Sequence, residues 1–303
     1  MTQTLGIVKE GRLIPEDLWI KFISGMENGF DNLETNQERA KRELAKAIVE
    51  AVRKRATTKF GILLSGGVDS SLISFISKQL KCNFTCYTVG IENSDDIVWA
   101  KDVAKEYGLA HKVKMLTLDE LETVLKETVS ILNDADIVKA SVGSVLYACG
   151  KVALADGNNI LFGGLGSEEL FAGYQRHSDV FQKTGYEGLH KECWNGLKGM
   201  WKRDLTRDFA IAKHLGLDLR APFLDKDIVK TAMNVHPMLK LDKDQKKIIL
   251  REAAEFIGLK KEFAWRKKQA AQYGSNFVNG IEKLAKRKGF QYKKDYLQSL
   301  LKK

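Results

Sequence analysis

The chain has 303 residues, 44% of them hydrophobic and 29% charged, with a formal net charge of +10. That is the composition of a globular protein, with enough chain to bury a full core as one large or two modest domains. Cys82, Cys86, Cys149 and Cys193 are too few and too scattered for a disulfide scaffold, which excludes the small stapled folds.

No apolar run approaches the roughly 20 residues of a membrane helix. The start, Met1-Thr2-Gln3-Thr4-Leu5, lacks the basic region and apolar core of a signal peptide. A cytoplasmic protein without a membrane segment is therefore expected. There is no C-x-x-C pair, and the five histidines show no ligand spacing, so no structural zinc is expected.

In chain order, residues 5–14 read as a hairpin turning near Gly11. Asn36 reads as the N-cap of a helix to Arg55, with Ala40, Leu44, Ile48 and Val52 on one face. The apolar run Phe60-Gly61-Ile62-Leu63-Leu64 reads as a buried strand that stops at Ser65-Gly66-Gly67. Leu72, Ile73, Phe75, Ile76 and Leu80 follow at helical spacing. Strands are predicted at 84–91, 113–116 and 159–162, and helices at 100–107, 120–132 and 144–155. Alternation of this kind predicts an α/β fold with a doubly wound parallel sheet, whose ligands sit beyond the carboxyl ends of the strands. From about residue 175 the pattern reads as all-helical, with helices at 205–216, 227–233 and 246–257.

Two glycine corners on that edge carry the chemistry. In Ser65-Gly66-Gly67-Val68-Asp69-Ser70-Ser71 the glycines allow a sharp turn and close approach to a ligand. The first N–H groups of the following helix suit an oxyanion. Ser65, Ser70 and Ser71 add hydroxyl donors, and Asp69 suits a Mg2+ that carries a phosphate. A plain strand-to-helix turn with an Asp/Ser cap is the duller alternative. The second corner is Gly163-Gly164-Leu165-Gly166-Ser167-Glu168-Glu169, where Ser167 can cap a helix and Glu168 can join Asp69 as a second hard ligand.

The S-G-G-x-D-S loop resembles the PP-loop of the ATP pyrophosphatases, and no G-K-[ST] follows to make a Walker A loop. Downstream residues narrow the resemblance to the synthetase domain of asparagine synthetases, within the asparagine synthase/β-lactam synthetase family. The second corner is similar to S-G-E-G-S-D-E. Leu219-Arg220-Ala221-Pro222-Phe223-Leu224-Asp225 is similar to E-x-R-x-P-F-L-D. Lys247-Ile248-Ile249-Leu250-Arg251-Glu252 is similar to K-x-x-L-R-E. Trp265-Arg266-Lys267-Lys268 resembles W-R-x-K, and Val138-Lys139-Ala140-Ser141 resembles V-R-A-S. The match runs over residues 59–280, with the sheet core to about 174. Residues 1–58 then form an N-terminal segment and helix, and 281–303 a basic tail.

The resemblance implies ATP and Mg2+ as cofactors and two half-reactions: adenylation of a small carboxylate with release of pyrophosphate, then attack by ammonia. Leu63, Val89 and Gly164 would hold adenosine by their backbone. Ser65, Gly66, Gly67, Asp69, Ser70 and Ser71 would hold pyrophosphate. Asp69 and Glu168 would bind Mg2+, and Lys247 and Lys268 would reach the phosphates, Lys268 being the better placed for transition-state charge.

The departures fall around the acceptor. No glutaminase domain of the family is expected in residues 1–58, so ammonia is expected free or from a separate subunit. Leu165 stands where the family has a glutamate implicated in proton handling. Glu168 replaces an aspartate. Asp136-Ile137-Val138-Lys139 stands for T-T-[IV]-R, and Gln272-Tyr273-Gly274 for an acidic turn. The acceptor is therefore aspartate or another carboxylate. A cyclase, an RNA-modifying adenylase using the basic tail, and a non-catalytic ATP-binding subunit are the alternatives, and a homodimer is left open.

Overall fold

The computed structural model describes residues 8–9, 12–267 and 270–301. It begins with an antiparallel pair, β1 (Val8–Lys9) and β2 (Arg12–Leu13). The predicted turn at Gly11 lies outside the described residues. Helix α1 (Glu16–Ser24) buries Trp19 and Ile23, and α2 (Gln37–Arg55) follows the Asn36 cap, whose side chain accepts from Arg39 N–H.

The chain then alternates. It runs β3 (Phe60–Leu63), α3 (Val68–Gln79), β4 (Phe84–Gly90), α4 (Asp95–Tyr107), β5 (His111–Met115) and α5 (Leu118–Leu132). Next come α6 (Ile137–Ala155), β6 (Ile160–Phe162), α7 (Ser167–Leu170), α8 (Gln175–Met200), α9 (Thr206–Leu215) and β7 (Asp218–Arg220). Helices α10 (Lys226–Asn234), α11 (Ile248–Ile257), α12 (Lys261–Ala264), α13 (Ala271–Gly274), α14 (Phe277–Arg287) and α15 (Lys293–Ser299) complete the described fold.

The five-stranded sheet has the order β5-β4-β3-β6-β7, and every pairing is parallel. Strands β4 and β5 lie on one side of β3, while β6 and β7 lie on the other. The order therefore reverses between β3 and β6, which makes their carboxyl ends the crevice where such sheets bind ligands. Phe60, Phe84 and Phe162 stack across the central strands and fix that register in the core.

Three expectations need correction. The second half is not all-helical: residues 218–220 add a fifth strand beside β6. It is only three residues long and largely buried, so it carries no alternation to read. Helices α4 and α6 start earlier than predicted, at Asp95 and Ile137, because Ser94 and Asp136 cap them. Helix α6 is also apolar enough over 19 residues to cross a bilayer by length and composition. It is a core helix instead, burying Ala140, Ser141, Gly143, Ser144 and Leu146 against its neighbours.

The N-terminal helix α2 is locked in by charge as well as by packing. Arg55 is 3% exposed and meets Asp225 at 2.6 Å, while Arg220 donates to the Arg55 carbonyl at 2.5 Å. The basic tail is similarly engaged: Arg287 pairs with Asp119 and Glu122, Lys288 with Glu122, and Lys286 and Lys293 with Glu282.

His177, at the start of α8, carries a pH dependence. It is fully buried, and its Nδ1 accepts from Tyr174 N–H at 3.2 Å. Burial, with Arg176, Lys240 and Lys246 nearby, pushes its pKa down to about 3. The folded state keeps the ring neutral while the unfolded chain takes up a proton below the ordinary histidine value of about 6.5. The stability it contributes is thus full above that value and lost as pH falls toward 3. Between pH 7 and 4.5 the wild type is expected to lose about 2 kcal/mol more than His177→Gln. Urea titrations at the two pH values check this; equal losses would refute it.

Candidate functional site

The loop after β3 is built for a close turn. Gly66 sits at φ +71, and a Cβ there would lie 2.6 Å from Trp99 Cβ and 2.9 Å from Ala100 N. Only glycine lets the turn rest against α4 in this way. Helix α3 then opens on Gly67 with no side chain capping its first N–H groups. Ser70 Oγ accepts from Ser65 N–H at 3.1 Å and lies 3.2 Å from Ser65 Oγ, which accepts from Gly67 N–H at 3.3 Å. The hydroxyls hold the loop in shape.

A cavity of about 370 Å³ lies over this loop, at the sheet's switch point. Of the residues singled out from sequence, Leu63, Ser65, Gly67, Asp69, Ser70, Val89, Gly164 and Glu168 line it. Gly66 does not, since it is turned against α4; Ser71 does not, being fully buried one position further along α3. Lys268 lies outside the described residues. Its neighbour Arg266 is 6% exposed, donates to the Ser65 carbonyl at 2.5 Å and to Asp96 at 3.2 Å, and stacks on Trp99. Arg266 thus ties the chain just before Lys268 to the glycine loop.

Asp69 and Glu168 do come together, around Lys247. The lysine amine donates to Asp69 Oδ1 and Oδ2 at 2.9 and 2.8 Å, to Ser167 Oγ at 3.0 Å, and pairs with Glu168 Oε1 at 2.5 Å. Burial pushes the amine below the ordinary lysine value, and Asp69 pulls the other way. Two small residues permit this approach: a Cβ on Gly164 would lie 3.1 Å from Asp69 Cβ, and one on Gly173 would overlap Glu168 and Lys247. Lys247 is not within the helix predicted at 246–257. It precedes α11, in the left-handed region at φ 58, ψ 31.

The opposite wall went unread in the sequence. Leu165 shares the cavity with Glu169, Arg203, Asp204, Arg207 and Asp208. Arg203 bridges Glu169 and Asp204, and Arg207 bridges Asp204 and Asp208 at 3.3 and 2.6 Å. Burial raises the pKa of both Glu169 and Asp208, against the pull of their arginines. A signal was present: Asp204, Arg207 and Asp208 fall at helical i, i+3 and i+4. Residues 201–205 form a π-helix, a feature frequent at functional sites. Val138, Val142 and Val145 present an apolar face of α6 to the same cavity. Lys139, one of the sequence departures, is instead paired with Asp134 at 2.7 Å and is not among the lining residues.

The family described as Asparagine synthase matches residues 43–185 and 179–297. The chain is 33% identical over 306 residues to "Putative asparagine synthetase (glutamine-hydrolyzing) 1" of Methanocaldococcus jannaschii, covering 88% of this chain and 56% of that one. It is 28% identical to asparagine synthetase (glutamine-hydrolyzing) 2 of Lotus japonicus, covering 79% and 44%. It thus spans about half the length of the curated relatives it matches. Among solved structures, the NH3-dependent NAD synthetase of Campylobacter jejuni aligns over 88% of this chain and 94% of its own. At 11% identity and a TM-score of 0.37, that likeness is too distant to carry weight. With a matching profile over most of its length and the glycine corners at the sheet's switch point, the chain belongs to the asparagine synthase family.

Proposed function

We propose that the protein is an ATP-dependent amidoligase, which adenylates a small carboxylate with release of pyrophosphate and then amidates it with ammonia. The observation that carries this reading is the convergence of Asp69 and Glu168, which both line the cavity beside an uncapped helix N-terminus, on the buried Lys247 ammonium behind them. Asparagine synthetases among the relatives support amidation as the class of reaction.

The donor set fits Mg2+. Two carboxylates and a serine hydroxyl already surround a single cation at 2.5 to 3.0 Å, and all are hard oxygen donors. When bound, Mg2+ neutralises polyphosphate charge. Ser65, Gly67 and Ser70 hold the leaving pyrophosphate, and Leu63, Val89 and Gly164 bracket the adenosine. Lys247 and Lys268 meet negative charge as the α–β bond breaks. The acceptor carboxylate attacks the α-phosphorus and releases pyrophosphate; ammonia then attacks the acyl carbon and releases AMP. The amine nitrogen must shed a proton. Leu165 cannot take it, whereas Asp208 and Glu169 line the same cavity with basicity raised by burial. The apolar α6 face suits the acceptor's carbon chain.

Pyrophosphate release should be screened against aspartate and other small carboxylates, with and without ammonium. Release that depends on one carboxylate, with amide formed only when ammonium is present, is expected. Tight ATP binding with no turnover on any acceptor would favour an ATP-binding subunit. Release dependent on RNA would favour a nucleic-acid-modifying adenylase.

A further inference from the structure

Lys247 occupies the place between the two carboxylates that a divalent ion would take. Its side chain is 1% exposed, and its amine has four oxygen contacts, from Asp69, Ser167 and Glu168. It does not arrive there as an ordinary helical side chain. Its backbone is in the left-handed region, unusual for a residue other than glycine, and Arg251 N–H bonds its carbonyl at 3.0 Å to start α11. Across from it Gly173 leaves space that a methyl group would remove, since a Cβ would lie 2.5 Å from Lys247 Cε. Both the loop after α7 and the turn before α11 are thus shaped around the inserted ammonium.

An ammonium and a divalent ion cannot share these oxygens, because like charges at such a separation repel strongly in a buried site. We propose that Lys247 is the resident counter-ion of Asp69 and Glu168, and that a divalent cation replaces it rather than joining it. The metal then enters only with a polyphosphate, whose oxygens receive the displaced ammonium. Lys247 thereby makes metal binding conditional on nucleotide, and the carboxylates stay neutralised at every stage. The idea rests on the reading of Asp69 and Glu168 as metal ligands.

The test is Mn2+ binding without nucleotide, followed by titration calorimetry and by the signal of free Mn2+ in electron paramagnetic resonance. Wild type is expected to bind Mn2+ weakly, while Lys247→Gln, which keeps a donor but loses the charge, binds it at least tenfold more tightly. Thermal unfolding gives a second readout: Mn2+ raises the midpoint of Lys247→Gln and leaves that of wild type unmoved. Lys247→Met guards against a glutamine that refills the gap. Equal Mn2+ affinity in wild type and both variants overturns the exchange. Tight binding in Lys247→Gln that survives a further Asp69→Asn change also overturns it, and shows that the reading of the metal ligands, rather than the exchange step, is at fault.

Discussion

Asp69→Asn is expected to lower ATP-dependent pyrophosphate release by about 10²–10³-fold, the usual effect of removing one preorganised electrostatic group from a reacting centre. The substitution keeps the size of the side chain and one oxygen acceptor for Lys247, but removes the charge that a metal–polyphosphate complex needs. Losing one partner of a buried ion pair costs about 3–5 kcal/mol when the other charge is stranded. Here the cost should fall well below that, because Glu168 still meets the ammonium at 2.5 Å. The variant should therefore keep its circular dichroism and a cooperative urea transition while turnover collapses. Calorimetry with ATP and Mg2+ locates the loss: weaker binding together with slower release is expected. A folded Asp69→Asn protein releasing pyrophosphate at the wild-type rate would remove Asp69 from the reacting centre.

The parts of this site that were legible in the sequence are those set by local chemistry. Glycines between a buried strand and a helix announce a loop, and acids next to them announce a cation. Asp69 and Glu168 could be paired in advance because parallel sheets gather strand ends on one edge. Three kinds of feature stayed hidden. Lys247 reads as a phosphate-directed cation inside a helix over 246–257, and no residue near it signals the left-handed bend that sets its amine between Asp69 and Glu168. Local periodicity puts Asp204, Arg207 and Asp208 on one helical face, but it cannot show that Glu169, 34 positions before Arg203, joins them. Strand β7 is defined by its neighbour: Leu161 faces Leu219 and Phe162 faces Arg220, and three residues are too few to display a period. The basic tail shows the same limit: its charge run is real, but Asp119 and Glu122 on α5 pair with Arg287 and Lys288, and composition cannot report partners in space.

Gly66→Ala should be the most damaging single methyl group in the glycine loop, and Gly216→Ala is its control. Both glycines sit at φ +71, so both substitutions carry the same backbone penalty of about 1–2 kcal/mol for a left-handed L-residue. They differ in what the methyl meets. Nothing lies within 4 Å of a Cβ at Gly216, whereas at Gly66 it would fall 2.6 Å from Trp99 Cβ, 2.7 Å from the Trp99 carbonyl carbon and 2.9 Å from Ala100 N. Two of those atoms are α4 backbone and cannot rotate away, so the loop must move instead. Forced overpacking adds about 1–3 kcal/mol. Gly66→Ala is therefore expected to be less stable than Gly216→Ala by that amount in urea titrations. A loop displaced by about 1 Å also carries Ser65 and Ser70 out of place, and misplacement on that scale costs about 10²-fold in rate. Gly216→Ala, at the far end of α9, should leave ATP binding and pyrophosphate release unchanged. If the two variants were equally stable and equally able to bind ATP, the contact between the loop and α4 would not be what fixes the phosphate site. A difference confined to Gly66→Ala ties the turn's shape directly to that contact.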